Sequence, residues 1–253
     1  MRTVTFVLVP GAWHGGWCWS RVAPLLRAAG HEVHTPTLTG VSDRAHTLHP
    51  SVGLATHVED VVRLLDAYDL TDVHLVGHSY GGQVISQVAE ERPERLARRI
   101  HLDAFVPDDG TAAIDLLPPD VAHHYRESVR EFGFGWLIPP RSLTVLGVTD
   151  QADVAWLTER LTPHPWATYR EPVRLGAAAA RVPGTYIDCT DWLGVFAPFA
   201  DKARALGWDV HRLATGHEAM VTAPGELAAL LLADAAAGPA GRPQEAGTPA
   251  WHG

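Results

Sequence analysis

Ser79 stands at the centre of Gly77-His78-Ser79-Tyr80-Gly81, between the apolar run Val73, Leu75 and Val76 and the helical repeat Val84, Ile85 and Val88. A strand that ends in a glycine-boxed serine and turns at once into a helix is the setting of a nucleophile elbow. The turn crowds its neighbours, so small residues are needed two positions either side of an exposed Oγ. The competing reading is a serine that caps the helix or satisfies a local backbone group; the full pattern, in strand and helix context, favours the nucleophile. A serine hydroxyl reacts poorly at neutral pH and needs a base within reach, with a third group to hold that base. His217, in Ala214-Thr215-Gly216-His217-Glu218, follows the last apolar strand pattern and precedes the closing helix, where a side chain can hang over the sheet edge. Two aspartates could hold it. Asp103 ends the strand after the elbow and Asp191 ends the next one, while Asp188 lies inside a strand and is weaker. An unpaired carboxylate at an apolar sheet centre would be costly, which puts Asp103 ahead of Asp191; the other reads as a turn or helix cap. An oxyanion formed at this serine would need two backbone N–H donors, assigned to Tyr80 and to Ala12 in the glycine-rich loop Pro10-Gly11-Ala12-Trp13-His14-Gly15-Gly16. That loop lacks the G-x-G-x-x-G spacing, which demotes a dinucleotide site.

The elements that must position these residues alternate. Residues 5–9 read as a strand, 19–30 as a helix closed by Gly30, 31–36 as a strand ended by proline, and 52–70 as an amphipathic helix carrying Leu54, Val58, Val61, Val62 and Leu65. After the elbow strand and its helix come strands over 98–107, 184–190 and 208–213, with helices over 195–206 and 222–235. This β-α rhythm predicts an α/β fold with a mostly parallel sheet of about six strands flanked by helices. The rhythm breaks between the two blocks. Residues 107–181 hold Pro118-Pro119, Pro139-Pro140, Pro163 and Pro165 and many aromatics, with one candidate strand at 142–148. The expected organisation is a core of 1–106 and 182–236, an inserted lid over 107–181 lying above the serine, and a flexible tail over 237–253. Trp13, Phe105, Trp136 and Trp166 are candidates to line an apolar pocket, against plain core packing as the alternative.

Composition narrows the partners. A net charge of −9 with no basic stripe argues against nucleic acid or an anionic membrane. Cys18 and Cys189 form no spaced metal pattern and read as reduced, buried thiols. The fifteen histidines are scattered, and the adjacent pair His123-His124 lacks further ligands at metal spacing, so neither a metal nor a cofactor is expected. The N-terminal apolar run ends at Pro10-Gly11, too short for a membrane span and without a cleavage region; it reads as the first strand of a cytoplasmic protein. A homodimer is left open.

The residues FVLVPGAWHGGWCWSRVAPLLRAAGHEV, LVGHSYGG and TGHEAM, in that order, resemble the α/β-hydrolase superfamily. More closely they resemble the branch containing plant methyl esterases such as methylsalicylate esterase, the plant hydroxynitrile lyases and bacterial esterase-like relatives. The resemblance runs over residues 3 to 235, weakly across the lid. It implies Ser79 as nucleophile, His217 as general base and the N–H groups of Ala12 and Tyr80 as the oxyanion hole. Pro10 replaces the usual histidine of the first loop, and Glu218 stands where hydroxynitrile lyases carry a lysine, which argues against lyase chemistry. Plant members place their acid nearer Asp191, whereas Leu102-Asp103-Ala104-Phe105 resembles the haloalkane dehalogenases; those use an aspartate nucleophile where this chain has Ser79. The expectation is therefore a serine hydrolase cleaving a carboxylic ester or thioester of a small, largely apolar substrate through an acyl-enzyme. The alternatives are a cyclase or acyltransferase using the same site on a biosynthetic intermediate, and a ligand-binding protein without turnover.

Overall fold

The structure, a computed structural model, describes residues 3–192 and 194–237. In chain order the first half comprises β1 (Thr5–Val9), α1 (Ala23–Ala28), β2 (Glu32–His34), α2 (Leu54–Ala67), β3 (Val73–His78), α3 (Gly81–Glu91) and β4 (Leu96–Leu102). The intervening segment holds α4 (Pro119–Phe132), β5 (Leu137–Ile138), α5 (Gln151–Thr158), β6 (His164–Pro165) and α6 (Ala167–Arg170). The chain then returns through β7 (Gly184–Cys189), α7 (Ala197–Ala205), β8 (Asp209–Leu213), α8 (Ala219–Thr222) and α9 (Pro224–Ala237).

Six of the strands form one all-parallel sheet in the order β2-β1-β3-β4-β7-β8, as the alternating pattern predicts. Parallel strands covered on both faces read as near-continuous apolar runs, and all six residues of β3 are buried, His74 and His78 among them. The helices meet them with apolar stripes: Leu54, Val58, Val61, Val62 and Leu65 of α2 are buried, as are Val84, Ile85 and Val88 of α3. Each such side chain removed from water contributes about 1.5–3 kcal/mol, which is what holds the layers together.

The strand order reverses between β1 and β3, and this switch point brings the loops after both strands side by side at the carboxyl edge. The register fixes their height. Val9 pairs with Gly77, Gly77 with His101, His78 with Leu102, and Leu102 with Ile187. Ser79 and Asp103, each one residue further on, therefore leave neighbouring strands at the same level.

Several boundaries differ from the sequence expectation. The strand expected over 98–107 ends at Leu102, because Asp103 adopts φ 41 and turns the chain out of the sheet. The helix expected over 19–30 divides into a short 3-10 turn, Gly16–Trp19, and α1, which carries Pro24 in its first turn. The candidate strand at 142–148 is a pair of turns: Leu146 and Val148 both donate backbone N–H groups to the Leu143 carbonyl at 3.0 Å. The closing helix begins at Pro224, after the short α8. The tail expected from residue 237 lies outside the described residues except for Ala237, which is the last residue of α9. Cys18 and Cys189 are both buried and unbridged. No helix among the described residues is long and apolar enough to cross a membrane.

Candidate active site

Ser79 sits at the β3–α3 corner with φ 54, a left-handed conformation that a non-glycine residue adopts only when its surroundings enforce it. Its N–H donates to the Leu102 carbonyl at 3.2 Å, and its carbonyl accepts from Gly82 and Phe105 at 3.1 and 3.2 Å. The corner closes because Gly77 has no side chain: a Cβ there would lie 2.6 Å from the Gly81 carbonyl oxygen. The serine is 6 % exposed, and what exposure it has opens onto a cavity.

His217 lines the same cavity. Its Nδ1 lies 2.7 Å from Oδ2 of Asp103, and since a carboxylate can only accept, Nδ1 carries the proton and Nε2 is left free as an acceptor. The Trp192 indole N–H donates to the same Asp103 oxygen at 3.0 Å. Burial pushes the Asp103 carboxyl up from its ordinary range, opposed by the hydrogen bonds from His217, Trp192 and the Cys189 backbone. Asp191, by contrast, is exposed, and its carboxylate accepts from the hydroxyl of its neighbour Thr190 at 3.3 Å. The structure thus brings Asp103, and not Asp191, to the imidazole.

Packing fixes the histidine from several sides. The Phe196 ring stacks on it at 5.1 Å and 2°, Trp192 lies at 4.7 Å, and His78 at 4.4 Å. His78, next to the nucleophile in sequence, thus packs against the imidazole. Its Nε2 donates to the His217 carbonyl at 3.0 Å, and burial, followed by the proximity of His217, keeps it well below the usual histidine range and so neutral. The turn segment around Leu146 completes the support, its carbonyl accepting the His217 N–H at 2.9 Å.

Ala12 is buried at the mouth of the first loop, and neither its N–H nor that of Tyr80 has a backbone acceptor among the described residues. Both N–H groups belong to the two loops that the sheet switch point sets side by side. The Tyr80 side chain points elsewhere, its hydroxyl 3.0 Å from Nδ1 of His57.

The cavity has about 540 Å³ of empty space, its open mouth included. Trp13 and Phe105 form part of its wall, but Trp136 and Trp166 do not reach it. Trp166 is instead stacked on Tyr169 at 6.3 Å. The inserted segment supplies Leu117, Tyr125, Arg141, Val145 and Tyr169 to the wall, while Trp192 and Phe196 come from the loop after β7. Sequence reasoning missed Trp192 although it adjoins Asp191: two neighbours leave the strand in different directions, and the indole, not the carboxylate, turns inward. It also missed Tyr169, and Tyr125, which shares the buried face of α4 with Ala122 and Val129 at helical spacing.

His78, His217 and Glu218 each offer a possible ligand atom, all within 4.8 Å of one another. Nδ1 of His217 is committed to Asp103, and Glu218 already faces the buried His14 ring at 3.2 Å. The donor set does not favour a metal.

Three comparisons bear on this arrangement. The model of the alpha/beta hydrolase family matches residues 6–230. A carbendazim hydrolyzing esterase from Nocardioides sp. (strain SG-4G) is 41% identical over 243 residues, covering 90% of this chain and 98% of the relative. Salicylic acid-binding protein 2 from Nicotiana tabacum is 36% identical over 104 residues, 41% of this chain and 40% of that protein. Among solved structures, an extracellular α/β-hydrolase from a Paenibacillus species, described as sharing structural and functional homology with the tobacco protein, superposes with a TM-score of 0.82 at 26% identity, over 91% of this chain and 98% of that one.

Proposed function

Because the chain belongs to the alpha/beta hydrolase family, we propose that it is a serine esterase that cleaves a small, largely apolar carboxylic ester or thioester through an acyl-enzyme. The observation that carries this reading is the 2.7 Å contact between Asp103 and Nδ1 of His217, on a ring that opens into the same cavity as Ser79. Ser79 Oγ attacks the carbonyl while Nε2 of His217 takes its proton, later returned to the leaving alcohol or thiol. Asp103 holds the tautomer and stabilises the imidazolium. The N–H groups of Ala12, in the loop after β1, and of Tyr80, at the N-terminal end of α3, receive the developing oxyanion. Water entering by the same route then releases the acid. The segment over 107–181 acts as a lid in this scheme, since its side chains close the cavity over the serine.

The test is covalent. A fluorophosphonate probe is expected to add one phosphonyl group to the protein, with the modified peptide mapped by mass spectrometry to Ser79. Absence of labelling with a probe small enough to enter would sink the reading. Product analysis on a turned-over ester separates hydrolysis, which yields free acid, from cyclisation or acyl transfer.

The aromatic wall of Trp13, Phe105, Tyr125, Tyr169, Trp192 and Phe196 supports substrates with a flat apolar group. Arg141 adds a polar preference. Its guanidinium lies over the Tyr125 ring at 5.4 Å and has no ion-pair partner among the described residues. Arg141→Met is expected to raise KM about tenfold, the value of one charge-assisted hydrogen bond, for esters whose far end bears a carboxylate or strong acceptor. KM for p-nitrophenyl acetate, too short to reach it, is expected to stay constant.

A further inference from the structure

Behind His217 the fold buries a charge that the hydrolytic steps above do not use. Glu218 is 0% exposed, and neither of its carboxylate oxygens accepts a hydrogen bond among the described residues. Its Oε2 lies 3.2 Å from Nε2 of His14, itself 1% exposed. Across the ring, Nδ1 of His14 donates to the Ala12 carbonyl at 2.7 Å. Both ring nitrogens thus face oxygens, a carbonyl that accepts from Nδ1 and a carboxylate beside Nε2 that favours the charged form of the ring without making a well-aligned hydrogen bond to it. Burial pushes His14 down and Glu218 up, but their attraction outweighs it in each, holding Glu218 at about 2.

A buried ion pair this poorly hydrogen-bonded does little for stability compared with apolar residues of the same volume. Its location gives it a different use. Trp13 is held at φ 71, and the peptide between Ala12 and Trp13 is anchored from outside at both ends: its N–H donates to Nδ1 of His164 at 3.4 Å, and its carbonyl accepts from the His14 ring at the shorter 2.7 Å. At its other end the pair reaches the residue that follows His217. We propose that His14 and Glu218 are positioning residues that lock the Ala12 loop to the His217 loop, so that the oxyanion donor and the base stay in register. The inference rests on the esterase reading above. Neither residue touches substrate: His14 acts through the backbone of Ala12, and Glu218 through His14 and the adjacent His217.

The test compares Glu218→Gln with the paired replacement His14→Leu/Glu218→Leu, using p-nitrophenyl butyrate turnover, inhibition by phenylboronic acid and thermal unfolding. Phenylboronic acid forms a tetrahedral adduct that needs the oxyanion donors, whereas KM does not report on them. In Glu218→Gln, kcat is expected to fall about 10- to 100-fold, less than the roughly 10²- to 10³-fold for outright loss of an oxyanion donor, with KM within about twofold and boronate inhibition weakened in step with kcat. The double leucine variant is expected to unfold no earlier than wild type and yet to share that kcat loss. A double variant with wild-type kcat overturns the proposal, as does a Glu218→Gln that lowers only the unfolding temperature. Failure of the double variant to fold also overturns it, since the pair would then be structural. If wild type neither hydrolyses the ester nor labels at Ser79, the esterase reading falls first and takes this inference with it.

Discussion

Asp103→Asn is expected to lower kcat for ester hydrolysis by about 10³- to 10⁴-fold, while Asp191→Asn stays within about twofold of wild type. The difference follows from where the two side chains go. Oδ2 of Asp103 accepts from both Nδ1 of His217 and the Trp192 indole, so the amide that replaces it is steered to present its oxygen to those two donors. The ring keeps its orientation, but the negative charge that stabilises the imidazolium is gone. In a site this buried no water can replace it, because Asp103 is 1% exposed and His217 is 3% exposed. The side chain keeps its shape, so the fold is expected to survive, and unchanged far-ultraviolet circular dichroism would show that the lost rate is chemical. Asp191 is exposed and its carboxylate accepts from Thr190 alone among the described residues, so neutralising it removes nothing from the site. Equal losses in the two variants, or a loss confined to Asp191→Asn, would refute the assignment. Steady-state kinetics on p-nitrophenyl butyrate suffice to decide it.

Ser79→Ala is expected to have the larger effect, about 10⁴- to 10⁶-fold in kcat, leaving only the residual catalysis that oxyanion donors and binding provide. The substitution removes one oxygen from a residue held at φ 54, so some backbone strain persists, but the hydrogen bonds that fix the corner are all backbone ones and survive. Binding of the substrate should therefore be retained, because the walls formed by Trp13, Phe105, Tyr125 and Tyr169 are untouched. Calorimetric titration of the variant with an uncleaved ester would then give a dissociation constant close to the wild-type KM, provided chemistry is slow in wild type. Turnover by Ser79→Ala within tenfold of wild type would mean that another group, or water activated by His217 alone, carries the reaction.

Much of this protein is legible in its sequence, for reasons that are local. The elbow is a local event: Gly77 and Gly81 are required by contacts within the same turn, and the apolar period switches from strand to helix across Ser79. The parallel sheet follows from β-α alternation, and His217 from its place after the last strand. A negative charge and two isolated cysteines are properties of composition that no folding alters.

Other features depended on where distant segments meet. Both Asp103 and Asp191 end sheet strands, and only the register of β4 against β3, with the positive φ at Asp103, turns that carboxylate toward the histidine 114 positions away. Trp192 and Phe196 close on the His217 ring because the loop after β7 folds inward, and an aperiodic loop carries no pattern from which such a direction can be read. The segment over 142–148 looks like a strand by composition, yet its backbone turns on itself and spends a carbonyl on His217. His14 and Glu218 lie 204 positions apart, and a buried pairing between them has no signature in either neighbourhood. The elements, the elbow and the fold class can be read along the chain, because they arise from interactions within a few residues. The choice of acid, the cavity wall and the charge behind the histidine emerge only on folding, because each is a contact between loops that the assembled sheet brings together.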